Sequence, residues 1–310
     1  MTHNARSVKP IETFALLGRL AGNDFAADRA RNIYASPSFT ILRPDQRIDV
    51  VRKGLWRVSV PASRGQGPQY VDKYPLEKIK LPKNFLPEYP YSEQIGCGRK
   101  LRDERLAPFP RTDYSVKVNR QEYYAIISHM DDQVGRILNA LESSGTRRST
   151  YIFFTADHGL ACGHHGLMGK QNMFEHSMKA PLLVAGPGIP PGKVIDTPVY
   201  LQDIMPTSLE IAGMEVPDCI DFRSLMPLIR GERKQQYDAI YGAYLGLQRM
   251  VRQGDYKLIY YPRIEKSLLF NLKDDPQEMV NLAEQAGYAD KVEEMQQLLR
   301  RLQGDMGDDL

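Results

Sequence analysis

Residues 150–159 read TYIFFTADHG, and the reading of that stretch decides the fold. Thr150 to Thr155 is apolar, β-branched or aromatic at nearly every position, which is the pattern of a strand buried on both faces. Upstream, Tyr123, Ile126, Ile127, Met130, Val134, Ile137, Leu138 and Leu141 recur at three- and four-residue spacing. That stripe predicts an amphipathic helix over 123–141, with Gly145 just past its end. A helix followed by a buried strand is half of a βαβ crossover, so an α/β fold is predicted, with a mainly parallel sheet flanked by helices. Pro181–Ala185 supplies a second buried strand, closed by Gly186-Pro187-Gly188. Asp203 is predicted to cap a helix running to Ala212, with Gly213 as its stop.

Working outward, the pattern changes on both sides. Ala239–Tyr244, Leu247–Arg252, Tyr256–Tyr261 and Ser267–Leu272 are short strand-like runs separated by Gly, Asp or Pro, and Ala289–Gln303 is amphipathic. They predict a small C-terminal antiparallel sheet packed by one helix, as an α+β subdomain over 236–310. The α/β domain then occupies 67–235. Within it, Tyr74–Pro110 carries six prolines and is expected to be ordered but irregular, on the surface. Residues 1–66 show little periodicity and are expected to pack poorly on the rest.

Composition narrows the function classes. Residues 1–66 hold eleven Lys/Arg against five Asp/Glu, but the arginines are scattered without interleaved aromatics, so no nucleic-acid partner is expected. No run of eighteen apolar residues exists, so no membrane span is expected. Phe14–Gly18 is too short for a secretion signal before Arg19 interrupts it. The cysteines Cys97, Cys162 and Cys219 are too widely spaced for a disulfide framework or a zinc knuckle.

The chemistry concentrates after the decisive strand. Asp157 and His158 lie just beyond its carboxyl end, where open α/β sheets place ligands. A carboxylate beside an imidazole, followed by Gly159, is a candidate metal pair, although the same tripeptide can form a simple turn. Four of the six histidines (His158, His164, His165, His176) fall within nineteen residues, in a Gly-rich segment that also carries Lys170. A cation with lysine and histidine donors is what a tetrahedral oxyanion requires. His129 and the pair Asp131-Asp132 sit on the predicted helix and are read as structural or solvated.

The segment TADHGLACGHHGLMGKQNMFEHSMKAPLLVAGPGI resembles the second signature region of the sulfatase family, within the alkaline-phosphatase-like superfamily. EYYAIISHMDDQVGRILNAL is similar to the family's preceding helix and YLQDIMPTSLEIAG to a following one. YKLIYYP with LLFNLKDDPQEMVNL resembles its C-terminal subdomain, so the likeness covers roughly 67–300. The resemblance implies that Asp157 and His158 are ligands of a calcium ion, that Lys170 contacts the sulfate, and that His165 lies near the substrate. It implies a sulfuric ester hydrolase acting on sulfate esters, sulfated carbohydrates among them. The Gly169-Lys170…Glu175 spacing favours that reading over a two-metal phosphatase or phosphomutase of the same superfamily; a non-catalytic oxyanion-binding remnant is the third reading.

The family's formylglycine precursor, Cys/Ser-x-Pro/Ala-x-Arg, is begun by none of the three cysteines. YASPSFTILR would put Phe39 at the nucleophile, and only Arg43 would fit. In Ser59-Val60-Pro61-Ala62-Ser63-Arg64 the arginine falls one place late. The early aspartate pair and the Pro-His-x-Pro turn also lack counterparts. The expectation is therefore a truncated or frame-shifted form with weak or no activity, whose family likeness begins near Gln66.

Overall fold

The computed structural model describes residues 38–42, 56–59 and 68–309, the first two stretches by their backbone alone. In chain order the strands and longer helices are β1 (Ser38–Leu42), β2 (Trp56–Ser59), α1 (Asp113–Ser143), β3 (Tyr151–Thr155), α2 (Glu175–Met178), β4 (Leu182–Ala185), α3 (Ile204–Ile211), α4 (Met226–Arg230), β5 (Ile240–Tyr244), β6 (Gln248–Gln253), β7 (Tyr256–Tyr261), β8 (Lys266–Asn271) and α5 (Ala289–Asp305). None of the described helices is long and apolar enough to cross a membrane. The chain divides into two compact units that are not consecutive in sequence. One comprises residues 1–70, 126–157 and 181–236, the other 71–125, 158–180 and 237–310.

The first unit is a sheet of order β2-β1-β3-β4. β3 is buried on both faces, as its composition demands. Ile152 and Phe154 pack with Ala185 against Val134, Ile137, Ala140 and Leu141 of α1. On the opposite face, Phe153 and Val184 meet Ile204 and Ile211 of α3, and Val184 also reaches Leu225, Met226 and Ile229 around α4. The flanking helices are therefore present, but among the described residues the strands of this sheet do not pair in parallel. β1 pairs antiparallel with both β2 and β3, and β3 pairs antiparallel with β4. The connection from Thr155 to Leu182 holds only the four-residue α2, where a parallel crossover is usually helical, and its residues 158–180 belong to the second unit. Of residues 1–66, β1 and β2 are strands; the remainder of the expectation for that segment lies outside the described residues.

Two helix expectations are refined. α1 begins at Asp113, ten residues before the apolar stripe, because Thr112 and Ser115 cap it reciprocally. The Thr112 hydroxyl accepts the Ser115 N–H and the Ser115 hydroxyl accepts the Thr112 N–H, each at 3.2 Å. Asp203 stands at the N-cap position of α3, as expected, but its side chain makes no cap bond to that helix. It is fully buried and its carboxylate accepts the N–H of Tyr200 (3.1 Å) and of Arg223 (3.0 Å), joining two chain segments.

The second unit is built on the antiparallel sheet β5-β6-β7-β8 with α5 packed on it. Alternation along the strands sorts its two faces. Val251, Leu258 and Leu269 meet Met295, Leu298 and Leu299 of α5, whereas Met250, Ile259, Leu268 and Phe270 point the other way. That second face is covered by Tyr89, Ile95, Leu167, Met173 and Phe174. The proline-rich stretch is thus irregular, as expected, but it is not a surface excursion. Its prolines bar it from a ladder while Tyr89, Ile95 and Cys97 fill the core.

Candidate active site

Asp157 is exposed and ends the 126–157 segment of the first unit, two residues beyond β3. The loop from His158 to Ala180 belongs to the second unit. His158 is half-buried, with Nδ1 2.7 Å from the Gly159 carbonyl oxygen. Gly159 donates its N–H to the Ser177 carbonyl at 2.8 Å, and a Cβ at that position would stand 2.0 Å from the His176 carbonyl oxygen. No residue but glycine fits so close an approach.

The chain then doubles back on itself. Ala161 N–H donates to the Gly169 carbonyl (2.9 Å) and Gly163 N–H to that of Leu167 (2.8 Å), so the turn between them is narrow. His165 sits there at φ 52°, a left-handed conformation that costs a non-glycine residue about 1–2 kcal/mol. Its surroundings offset that cost. Its N–H donates to the Asn84 carbonyl (2.9 Å), its ring stacks on Phe174 with centroids 3.9 Å apart, and its Nε2 lies 3.2 Å from the Gln277 carbonyl. Asn84 also meets His164 Nδ1 through its Oδ1 (2.8 Å) and donates Nδ2 to the Gln277 carbonyl (2.9 Å). Burial, then the charge of Arg120, lowers the His164 pKa to about 4; burial, then His164, does the same for His165. Both rings are neutral near pH 7.

Lys170 is half-buried, and the backbone around it is tied on both sides. Glu104 accepts the N–H of Met168 (3.0 Å) and of Gly169 (2.8 Å), and is paired with Arg111 at 2.5 Å. Gln171 accepts the Lys170 N–H with its Oε1 (3.1 Å) and donates Nε2 to Asp103 (2.8 Å). The Gln171 carbonyl accepts the Cys97 thiol and the Gln248 amide, each at 2.8 Å. A Cβ on Gly169 would come within 3.0 Å of Glu104, Asp103 and Gln171, so this approach also needs glycine.

Beyond Lys170 an ion cluster anchors the loop's far end. Lys257, fully buried, contacts Glu175 (2.9 Å) and Glu278 (2.8 Å). Arg252 adds a contact to Glu175 (3.2 Å), and Glu278 accepts the Glu175 N–H (2.7 Å). Burial works to raise the Glu175 carboxyl, but Lys257 and Arg252 outweigh it and hold it below the usual range; at Glu278 burial prevails and the carboxyl is raised.

His158, His165 and Lys170 therefore share one loop of the second unit, with Asp157 the last residue of the first unit's strand end. Calcium takes six to eight oxygen ligands. One exposed carboxylate and one imidazole do not compose that sphere, and among the described residues no group of three or more His, Cys, Asp or Glu side chains is placed to hold a metal. Sequence reasoning passed over the loop's supports: Asn84, Glu104, Arg111, Lys257 and Glu278. Glu278 carried a signal, as the glutamate of the DPQEMVNL run, Asp275–Leu282, within the quoted C-terminal resemblance. Glu104 and Arg111 carried none, being seven residues apart in a segment without periodicity.

The family model described as Sulfatase matches residues 67–214, and that described as N-sulphoglucosamine sulphohydrolase, C-terminal, matches 163–305. The chain is 32% identical to arylsulfatase K of Xenopus laevis, over 76% of this chain and 46% of the relative. It is 37% identical to choline-sulfatase of Rhizobium meliloti, over 63% of this chain and 38% of that one. Among solved structures, one in complex with its substrate D-glucosamine-2-N,6-O-disulfate superposes with a TM-score of 0.61 at 30% identity, covering 71% of this chain and 46% of that one. The chain spans about half the length, or less, of the curated relatives named here.

Proposed function

The chain belongs to the sulfatase family, and on that premise we propose that its Lys170 loop is the oxyanion-contacting part of a sulfuric ester hydrolase site. The substrates proposed are sulfate esters, sulfated carbohydrates among them, in keeping with the glucosamine disulfate held by one relative. The observation that carries the reading is the fixed backbone on either side of Lys170. An ammonium on a preorganised loop meets a sulfate oxygen without reorganising, and it stabilises the charge that grows on the ester oxygen as the S–O bond breaks.

In this reading His165 frames the loop rather than carrying protons. Its Nε2 faces a backbone carbonyl and its ring is neutral near pH 7. Asp157 and His158 are the family's metal-facing pair, and calcium bound there would neutralise part of the sulfate's charge. With so few donors at that position, the chain alone holds calcium weakly, and without a formylglycine it turns over sulfate esters slowly or not at all.

Titration calorimetry with inorganic sulfate, beside 4-nitrophenyl sulfate and 4-nitrophenyl phosphate hydrolysis in calcium or chelator, tests the proposal. Sulfate binding that weakens about tenfold or more in Lys170→Ala supports it. Binding indifferent to that substitution, or a phosphate ester turned over in preference to the sulfate, overturns it. Fast sulfate-ester turnover abolished by Lys170→Ala would keep the site but refute the slow-enzyme reading, because a nucleophile would then be present.

A further inference from the structure

We propose that Glu104, paired with Arg111, is a positioning residue that sets the direction of Lys170. The inference rests on the reading of Lys170 as the group that contacts the oxyanion, and it adds a residue to that site which neither motif nor spacing announces.

The two amides that Glu104 accepts belong to the residues directly before Lys170, Met168 and Gly169. Fixing both N–H vectors fixes the two peptide planes that lead into Gly169. The next plane, which carries Lys170, is held by the Ala161 N–H on the Gly169 carbonyl (2.9 Å) and by Gln171 Oε1 on the Lys170 N–H (3.1 Å), so the Cα–Cβ direction of Lys170 is set by these contacts together. Arg111 holds the other end of the same short segment, donating Nε to the Gly166 carbonyl at 3.1 Å. Its Nη1 meets the carbonyls of Glu104 (2.7 Å) and Ala107 (2.6 Å), and its guanidinium lies 3.7 Å from the Phe109 ring centroid. Both side chains are essentially sealed from solvent, at 0% and 1% exposure. Taking two charges out of water is costly and adds little net stability over a well-packed apolar pair. An apolar pair would fill the same space but could not orient amides. The directional contacts are what the buried charges supply.

The second side of the clamp begins at the neighbouring residue. Asp103 takes Gln171 Nε2, and Gln171 takes the Lys170 N–H, so one short helical turn, Asp103–Leu106, governs the backbone before and after the lysine.

The test reads Lys170 directly. The whole chain is treated with an acetylating reagent across pH 7–10, and the modification rate at each lysine is followed by peptide mass spectrometry. Lys83, Lys100 and Lys117 serve as internal references. The variants are Glu104→Asp and the double variant Glu104→Gln/Arg111→Met, which leaves no unpaired buried charge and so guards against unfolding. The expected result is a Lys170 rate raised at least about threefold relative to the reference lysines in the double variant, with partial return in Glu104→Asp. Unchanged Lys170 rates and pH profile, in a double variant that is folded but melts at a lower temperature, would make Glu104 purely structural and overturn the proposal. Inorganic sulfate is added in a parallel arm. If it fails to protect Lys170 in the unaltered chain, the oxyanion reading fails, while the acetylation rates still decide the role of Glu104.

Discussion

Replacing Lys257 by methionine keeps most of the side chain's length, short by its terminal atom, and removes one charge from a buried cluster. In the structure Lys257 has no exposed surface and lies 2.9 Å from Glu175 and 2.8 Å from Glu278. Two carboxylates then face each other with Arg252, at 3.2 Å from Glu175, and the more distant Lys179 to oppose them. Removing one partner of a buried ion pair costs about 3–5 kcal/mol, much of it from the charge left unpaired. Lys257→Met should therefore lose that amount in urea unfolding followed by circular dichroism. Adding Glu278→Gln should recover at least about 1–2 kcal/mol, because the orphaned charge goes with it. Lowering the pH toward 5 should narrow the gap between Lys257→Met and the unaltered chain, since burial already raises the Glu278 carboxyl and a protonated Glu278 needs no counter-charge. A loss under about 1 kcal/mol, with the two substitutions simply additive, would refute the reasoning.

Two further outcomes follow from the loop's geometry. Burial first, and then the charge of His164, takes the His165 pKa from 6.5 to about 4, so the unfolded chain binds the proton more readily. Stability from His165 is thus complete above pH 6.5 and is lost as the pH falls toward 4, by up to about 3 kcal/mol. A denaturation midpoint that stays flat from pH 7 to 4.5 in the unaltered chain, and does not differ from His165→Asn, would contradict this. Gly159→Ala should destabilise the chain by more than about 2 kcal/mol, as its Cβ meets a backbone oxygen at 2.0 Å and neither atom can turn aside. Thermal melting of that variant at the unaltered temperature would show that the approach is looser than described.

The strands and helices that sort residues by period were legible in the chain. β5 to β8 and α5 lie within two residues of the runs that predict them, because alternation and the 3.6-residue stripe respond directly to burial. Strand direction was not legible. It depends on where the chain goes between Thr155 and Leu182, and no local pattern encodes a return without a crossover. The same division runs through the candidate site. Lys170, His165 and His158 stand out as clustered polar residues after a strand. Glu104 and Arg111 act through backbone groups more than sixty positions away in one case and fifty-five in the other. Such partners leave no spacing to read. The proline-rich segment misled for a related reason: proline reports the absence of a ladder, not the presence of solvent.

The anchoring of Glu175 by Glu278, 103 residues farther on, sets an order of events in the making of the protein. During synthesis at roughly 5–20 residues per second, the Lys170 loop exists for about 5–20 s before its last support has been translated. Tyr89 waits longer still for Tyr261, 172 positions away, to close the core beneath it. The ladder β5–β8 forms from neighbours, but the loop is finished only when the chain's final quarter folds back onto segments made much earlier. A nonsense codon between residues 180 and 278 therefore removes more than a tail. It leaves the lysine-bearing loop translated with Asn84, Glu104 and Arg111 to hold it but without the Glu278 anchor at its far end.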